Sequence, residues 1–375
     1  MTDYQQYLDI LEKKYQHPEN ESLSPFERVD LAINRKQPDR TPVDFWAVNE
    51  TLEKLMSELH LDNVEQVLQL LGVDCRIVSP RYVGPEREVL ADGTFYNVFG
   101  SHRKRVVNEF STYEEYASFP LAEMETAAQV ESYSRWPDIS FWDWTSLPGI
   151  INNLNKDVRY HIRYDVGGIF ETAWGLYGLD KFLVDLIQKP EVPLAILDCI
   201  TNILINNFKQ AVKHADGLID MVYTYDDVAI QNGLLMSKKM WRKNILPFHQ
   251  KLNHEIKKHN VKILYHSCGA IFDLIDPIID EMHIDMLNPL QPRAAKMDMQ
   301  NIKDTFGERV AFHGAVDIQH TMPFGTAREV TDEVRARCQI LGKGGGYVCT
   351  TAHYIQGDTP VENILALYAA DRSAN

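Results

Sequence analysis

Short apolar runs alternate with longer stretches of helical spacing through most of this chain. The runs are Val43–Trp46, Asp74–Ser79, Val158–Val166, Ile219–Tyr225, Val261–His266, Ile284–Asn288, Arg309–Phe312 and Gly346–Thr350. Each has the length and composition of a buried strand. Between them, apolar positions recur at helical spacing over Thr51–Leu71, Asp180–Gln188, Pro193–His214, Lys238–His259, Ile271–Met282, Met299–Phe306 and Ala327–Leu341. Strands alternating with helices imply right-handed parallel units, and eight of them imply a closed (β/α)8 TIM barrel. An open doubly wound sheet is the alternative, but no glycine-rich dinucleotide turn follows the first run.

Two segments fall outside this rhythm. Residues 1–37 read as an N-terminal helical extension, with Ser24 as cap, Pro25 at the first helical position and Glu27 in the first turn. Pro38 and Pro42 then break the chain, and residues 38–375 form the catalytic barrel. Asp92-Gly93 between two alternating runs signals a β-hairpin inserted at about residues 86–107. Residues 112–157 are expected to be helices and loops.

Composition narrows the class. The chain of 375 residues is 45% hydrophobic and carries a net charge of −15. An acidic surface argues against nucleic acid or an anionic membrane as partner. No apolar run reaches the length of a transmembrane helix. The N-terminus lacks a signal peptide's apolar core, and the five cysteines are scattered and odd in number. A cytoplasmic enzyme with reduced thiols is expected.

In such a barrel, chemistry gathers where the strands end. The fourth run ends in Tyr223, Tyr225, Asp226 and Asp227, with Gln231 beyond. The fifth delivers His266 and Cys268, two residues apart, so both project to one side and can grip one metal ion. Asn288 and Gln291 follow the sixth, His313 and Asp317 the seventh, and Cys349 and His353 the eighth. Plainer readings stand beside these: a core thiol beside a bonded histidine, a helix cap for one of the Asp226–Asp227 pair, a core role for His313, packing for Trp46. Five consecutive polar strand ends nevertheless favour a pocket.

These residues stand in a familiar order. Asp226-Asp227 with Gln231, Tyr265-His-Ser-Cys-Gly269, Leu287-Asn-Pro-Leu-Gln291, Phe312-His-Gly-Ala-Val-Asp317, Gly345-Gly-Tyr347 and Asp358-Thr-Pro-Val-Glu-Asn363 resemble the uroporphyrinogen decarboxylase superfamily, in its branch of corrinoid-dependent methyltransferases. Glu27-Arg28, Pro38-Asp39-Arg40 and Pro42 resemble its N-terminal signature. The likeness runs from about residue 25 to 370. The decarboxylase proper carries an arginine-rich motif after the first strand. Here that place reads Phe45-Trp-Ala-Val-Asn-Glu-Thr51, without an arginine to hold substrate carboxylates.

The resemblance implies a Zn2+ held by His266, Cys268 and a third ligand near the last strand. The branch has a cysteine there; counting back from Thr359-Pro360 puts His353 in its place, with Cys349 the alternative. It also implies methyl transfer from a small methylated substrate to a corrinoid (cobalamin) carried by a partner protein. Asp227, His313 or Asp226 would serve as acid. Trp46, Tyr223, Tyr225, Gln231, Asn288 and Gln291 would line the substrate site. The aromatic content of these loops, with Phe45, Tyr82 and Tyr354, suits a methyl ether, aromatic ones included. A decarboxylase-like lyase and a methylcorrinoid:thiol methyltransferase are the alternatives; a homodimer is one assembly open to such a chain, and the sequence does not fix the oligomeric state.

Overall fold

The computed structural model describes residues 4–15 and 21–373. Its centre is a sheet of seven parallel strands in sequential order: β1 (Cys75–Val78), β2 (His161–Gly168), β3 (Met221–Tyr225), β4 (Lys262–His266), β5 (Met286–Leu290), β6 (Ala311–Val316) and β7 (Tyr347–Thr351). Helices fill the crossovers, among them Glu191–Ala215 and Ala327–Leu341. The architecture is that of a TIM barrel, as expected.

The first expected strand, Val43–Trp46, departs from the regular form. It makes only isolated bridges, Val43 to Cys349 and Ala47 to Ile355. It still joins the two sheet edges. Cys349 N–H donates to Pro42 O at 2.8 Å on one side, and Asp74 N–H donates to Val43 O at 3.0 Å on the other. Thr41, Asp44 and Trp46 spend their backbone or side-chain groups on the C-terminal segment and on polar clusters, so the ladder is interrupted.

Alternation decides which side chains fill the barrel. Met221 and Tyr223, Leu264, Met286, Ala311 and Val348 pack together inside. Helix Pro25–Ile33 plugs the lower end, adding Val29, Ala32 and Ile33 to that interior cluster. Its start is fixed by a capping box between Ser24 and Glu27. Aspartates just before alternate strands clasp this closed end. Asp74 accepts the Val43 N–H, Asp220 the Ile162 N–H and Asp285 the Ile263 N–H, at 2.7–2.8 Å. Each is matched by a cation: Arg28 and Arg40, Arg159, and Lys257.

Three local expectations change. The segment 49–70 is two helices, Asn49–Glu58 and Val64–Leu70, separated by His60 at φ 56° and a fresh cap at Asn63. The segment 238–257 is likewise Lys238–Asn244 and Leu246–Lys257, with Pro247 restarting the helix. The insertion is larger than a hairpin. Asp92-Gly93 turns only a single bridge, Val89 to Phe95, and the main body is a three-stranded antiparallel sheet of Phe95–Tyr96, His102–Val107 and Thr112–Ser118. Thr112–Ser118 is therefore strand where helix or loop was expected.

Candidate active site

β4 ends by presenting His266 inward, and the chain then turns at Ser267 and Cys268. Two features hold that turn. Cys268 N–H donates to Asp227 Oδ1 at 2.7 Å, and Gly269 N–H donates to Gln291 Oε1 at 2.7 Å. Gly269 sits at φ 88°, where a Cβ would meet the Ile230 carbonyl oxygen at 2.7 Å, so only glycine fits. The result brings Cys268 Sγ to 3.3 Å from His266 Nε2. His353 approaches from the loop after β7, its ring centroid 5.9 Å from that of His266. Ligand atoms of His266, Cys268 and His353 all lie within 4.8 Å of one another.

This donor set fits zinc. Bonds of about 2.0–2.3 Å in a tetrahedron put neighbouring ligand atoms about 3.3–3.8 Å apart, so the His–Cys pair is already at that spacing. Three protein donors leave a fourth position for a reacting molecule. The surroundings suit a cation too. Burial pushes the Cys268 thiol up, and the Asp227 and Glu171 carboxylates push it further. His353 is held down to about 4, by burial first and then by His266.

A buried hydrogen-bond chain sets the protons on His266. Asp44 is held well below the usual carboxylate range: burial would raise it, but Arg163 and His313 overcome that. It pairs with Arg163 and also accepts from Trp46 Nε1 at 2.7 Å. His313 Nε2 lies 3.0 Å from Asp44 Oδ2 and therefore carries the proton. Its Nδ1 then accepts from Asn288 Nδ2 at 2.7 Å, which leaves Asn288 Oδ1 to accept from His266 Nδ1–H at 2.5 Å. His266 Nε2 is left with its lone pair facing Cys268, the tautomer a metal ligand needs.

The structure distributes the expected residues unevenly. His266, Cys268 and His353 come together, with Asp227 alongside, its Oδ1 3.5 Å from His266 Nε2 and its side chain 38% exposed. Cys349 does not join them. Val348 occupies the inward position of β7, so alternation turns Cys349 outward, where its free thiol hydrogen-bonds with that of Cys338 on helix Ala327–Leu341. Asp226 also leaves the mouth. Fully buried, it accepts the N–H groups of Phe170 (2.9 Å) and Glu171 (2.8 Å), and so caps helix Phe170–Tyr177. Asp226 thus serves a helix start, but that of a helix lying before it in sequence and not the following one that was expected. His249 Nε2 lies 2.6 Å from Asp226 Oδ2 but is not aligned as a donor.

His313 and Asn288 are buried relay members and not open to the mouth. Gln291 braces the Cys268 turn. Gln231 lies in the turn of a small ribbon, its carbonyl accepting from Ala295 N–H at 2.9 Å. Trp46 and Tyr223 are almost wholly buried and pack around the histidines: Trp46 stacks on His266 at 6.1 Å, touches Tyr354 at 5.4 Å, and takes the edge of Tyr223 at 5.2 Å. Tyr225 lies 5.4 Å from Tyr223.

Two carboxyls at the mouth escaped the sequence reading. Glu171, on the first turn of the helix that Asp226 caps, is raised to about 7, by burial first and then by Asp227 and Asp226. Asp165, inside β2, is raised to about 6 by burial, and its Oδ1 has no partner among the described residues. Alternation along β2 places Asp165 with Arg163 on the inner face, a signal the sequence carried. Glu171 carried none, because the helix that bears it was not expected. A small cavity of about 140 Å3 lies beside this region, lined by Glu171, Tyr225 and Gly168 of the barrel and by Asn97, Arg103 and Tyr116 of the insertion. Larger clefts lie elsewhere: one of about 510 Å3, lined by Tyr15, Arg40 and Asp74, is at the closed end of the barrel.

Comparison with known proteins agrees with this architecture. The family model described as uroporphyrinogen decarboxylase (URO-D) matches residues 153–373. A solved methyltransferase from Methanosarcina mazei superposes with a TM-score of 0.65 at 18% identity, covering 93% of this chain and 98% of the other. At that identity the likeness is one of fold. A GH27 β-L-arabinopyranosidase from Geobacillus stearothermophilus, in complex with arabinose, matches at a TM-score of 0.38 and 12% identity, covering 90% and 78%, too loosely to bear on chemistry. No curated protein sequence matches the chain. Among the described residues, no helix is long and apolar enough to cross a membrane.

Proposed function

The chain belongs to the uroporphyrinogen decarboxylase family, and on that premise we propose that it is a methyltransferase that passes a methyl group from a small methylated donor to a reduced corrinoid on a partner protein. The observation that carries this reading is the His266–Cys268–His353 trio at a barrel mouth, with one histidine's tautomer fixed for ligation. Against decarboxylation stands the pairing of Arg163 with Asp44, which leaves that arginine unavailable to a substrate carboxylate.

His266 Nε2, Cys268 Sγ and a His353 ring nitrogen would hold a zinc ion, which when bound supplies Lewis acidity to the heteroatom that loses the methyl group. The chain's own residues do the rest. Asp44, His313 and Asn288 keep the proton on His266 Nδ1. Asp227 and Gln291 fix the turn that carries Cys268. Glu171 holds a proton near neutral pH and gives it to the departing oxygen. Trp46, Tyr223 and Tyr354 keep water from the trio. A reduced corrinoid and five free cysteines suit a reducing, cytoplasmic setting.

The test mixes the zinc-loaded protein, cob(I)alamin and a panel of methyl ethers, methylamines and methyl thiols. Loss of the cob(I)alamin absorbance with one donor class, abolished in Cys268→Ala, is expected. Turnover of uroporphyrinogen with no corrinoid present would overturn the reading.

A further inference from the structure

The 140 Å3 cavity lies where β2 and β3 end, at the edge of the inserted sheet. Tyr225 on its wall is the register partner of His266 on the neighbouring strand, so the cavity wall and the strand that bears His266 lie side by side. Its size is below the class of about 300 Å3 that holds drug-sized ligands, so its occupant is small. Apolar and aromatic surface comes from Phe99, Tyr116, Leu204 and Tyr225.

Two ionisable groups face this space without pairing. Arg103 lies over the Tyr116 ring at 3.6 Å and donates from Nη1 to Glu114 O, yet its Nε is buried with no partner. Glu171 makes no side-chain hydrogen bond among the described residues, and no ion pair within 4 Å joins it to Arg103. Arg103 is half-buried, and a guanidinium whose buried Nε–H has no partner offers that donor to an anionic acceptor in the cavity. Burial, then Asp227 and Asp226, raise the Glu171 carboxyl to about 7 against the lowering pull of Arg103, and its oxygens have no side-chain partner among the described residues.

We propose that this cavity is the donor site, and that Arg103 and Glu171 select a small methyl ether that also bears a carboxylate, the carboxylate on Arg103 and the ether oxygen by Glu171. The insertion would thereby set donor specificity, since Arg103, Tyr116 and Asn97 all belong to it. The inference rests on the methyl-transfer reading for its chemistry and not for its binding. In the transfer step the methyl carbon–oxygen bond breaks and its electron pair stays on the oxygen, which takes the Glu171 proton. The reduced corrinoid supplies the pair that bonds the methyl carbon.

The experiment titrates the full chain, without a corrinoid, with 4-methoxybenzoate, methoxybenzene and glycine betaine, following tyrosine and tryptophan fluorescence. The anionic ether is expected to bind at least about tenfold tighter than the other two, as one charge-assisted contact allows. Arg103→Ala should remove that advantage and leave methoxybenzene within about twofold, and Arg103→Lys should recover part of it. Equal loss for the neutral ether in Arg103→Ala, or preference for the betaine, would overturn the assignment. Arg103-dependent binding without methyl transfer to cob(I)alamin would keep this site and sink the transfer reading. Transfer from a donor indifferent to Arg103 would do the reverse.

Discussion

Replacing Asn288 with leucine cuts the relay at its middle. Asn288 is wholly buried, and its amide makes two contacts: Oδ1 accepts from His266 at 2.5 Å and Nδ2 donates to His313 at 2.7 Å. Leucine leaves both histidine nitrogens buried and unpaired, at about 1–3 kcal/mol each. The stability cost is therefore about 2–6 kcal/mol, against a typical total of about 5–15 kcal/mol. His266 also loses the acceptor that keeps its proton on Nδ1, so zinc affinity should fall about 10–100-fold. Asn288→Asp separates the two effects. The new carboxylate still accepts from His266 Nδ1–H, so zinc affinity should stay within a few-fold of the parent. It cannot donate to His313, which must then bind a second proton between two carboxylates. Zinc affinity is read by competition with a chromophoric chelator, stability by urea unfolding, and the His313 protonation state by nitrogen NMR. An Asn288→Leu protein that folds and binds zinc as tightly as the parent would refute the relay.

Three further outcomes follow from the same geometry. Cys349→Ser should leave zinc content unchanged, since that thiol faces Cys338, whereas His353→Ala and Cys268→Ser should each lose most of the metal in elemental analysis. Glu171 sits near 7 when folded and near 4.5 when unfolded, so its contribution to stability is full below about 4.5 and fades as pH rises through 7. The rate of methyl transfer should likewise fall above about pH 7 in the parent, while Glu171→Gln should be slower by about 10²–10⁴-fold, lose that limb, and melt higher than the parent at pH 8. Asp226→Ala should cost about 3–5 kcal/mol in urea unfolding, because it strands the N–H groups of Ile169, Phe170 and Glu171 and removes one partner of a buried polar cluster.

Much of this site could be read along the chain. The two-residue spacing of His266 and Cys268 at a strand end is legible in the sequence, although the strand stops at His266 and the turn held by Asp227 and Gln291 is what sets Cys268 beside it. The strand-and-helix rhythm determines that they lie at a strand end, between the neighbouring ends that carry Asp227 and Asn288. Glu171 escaped because its helix start is stabilised by Asp226, more than fifty residues away, and no local cap announces it. Arg103 escaped because the strand after it, Thr112–Ser118, is a polar, exposed edge whose pattern does not repeat every second residue.

What the sequence alone determined is therefore the local and periodic part: buried strands, capped helices, the two-residue bite and the acidic character. Tertiary structure alone decided the rest. It turned Cys349 away and His353 in, because a strand's inward set is fixed by which alternate residue fills the core, and Val348 took that place. It made His313 and Asn288 a relay and Asp226 a cap, because a hydrogen bond depends on where a partner sits in space and not on its distance along the chain.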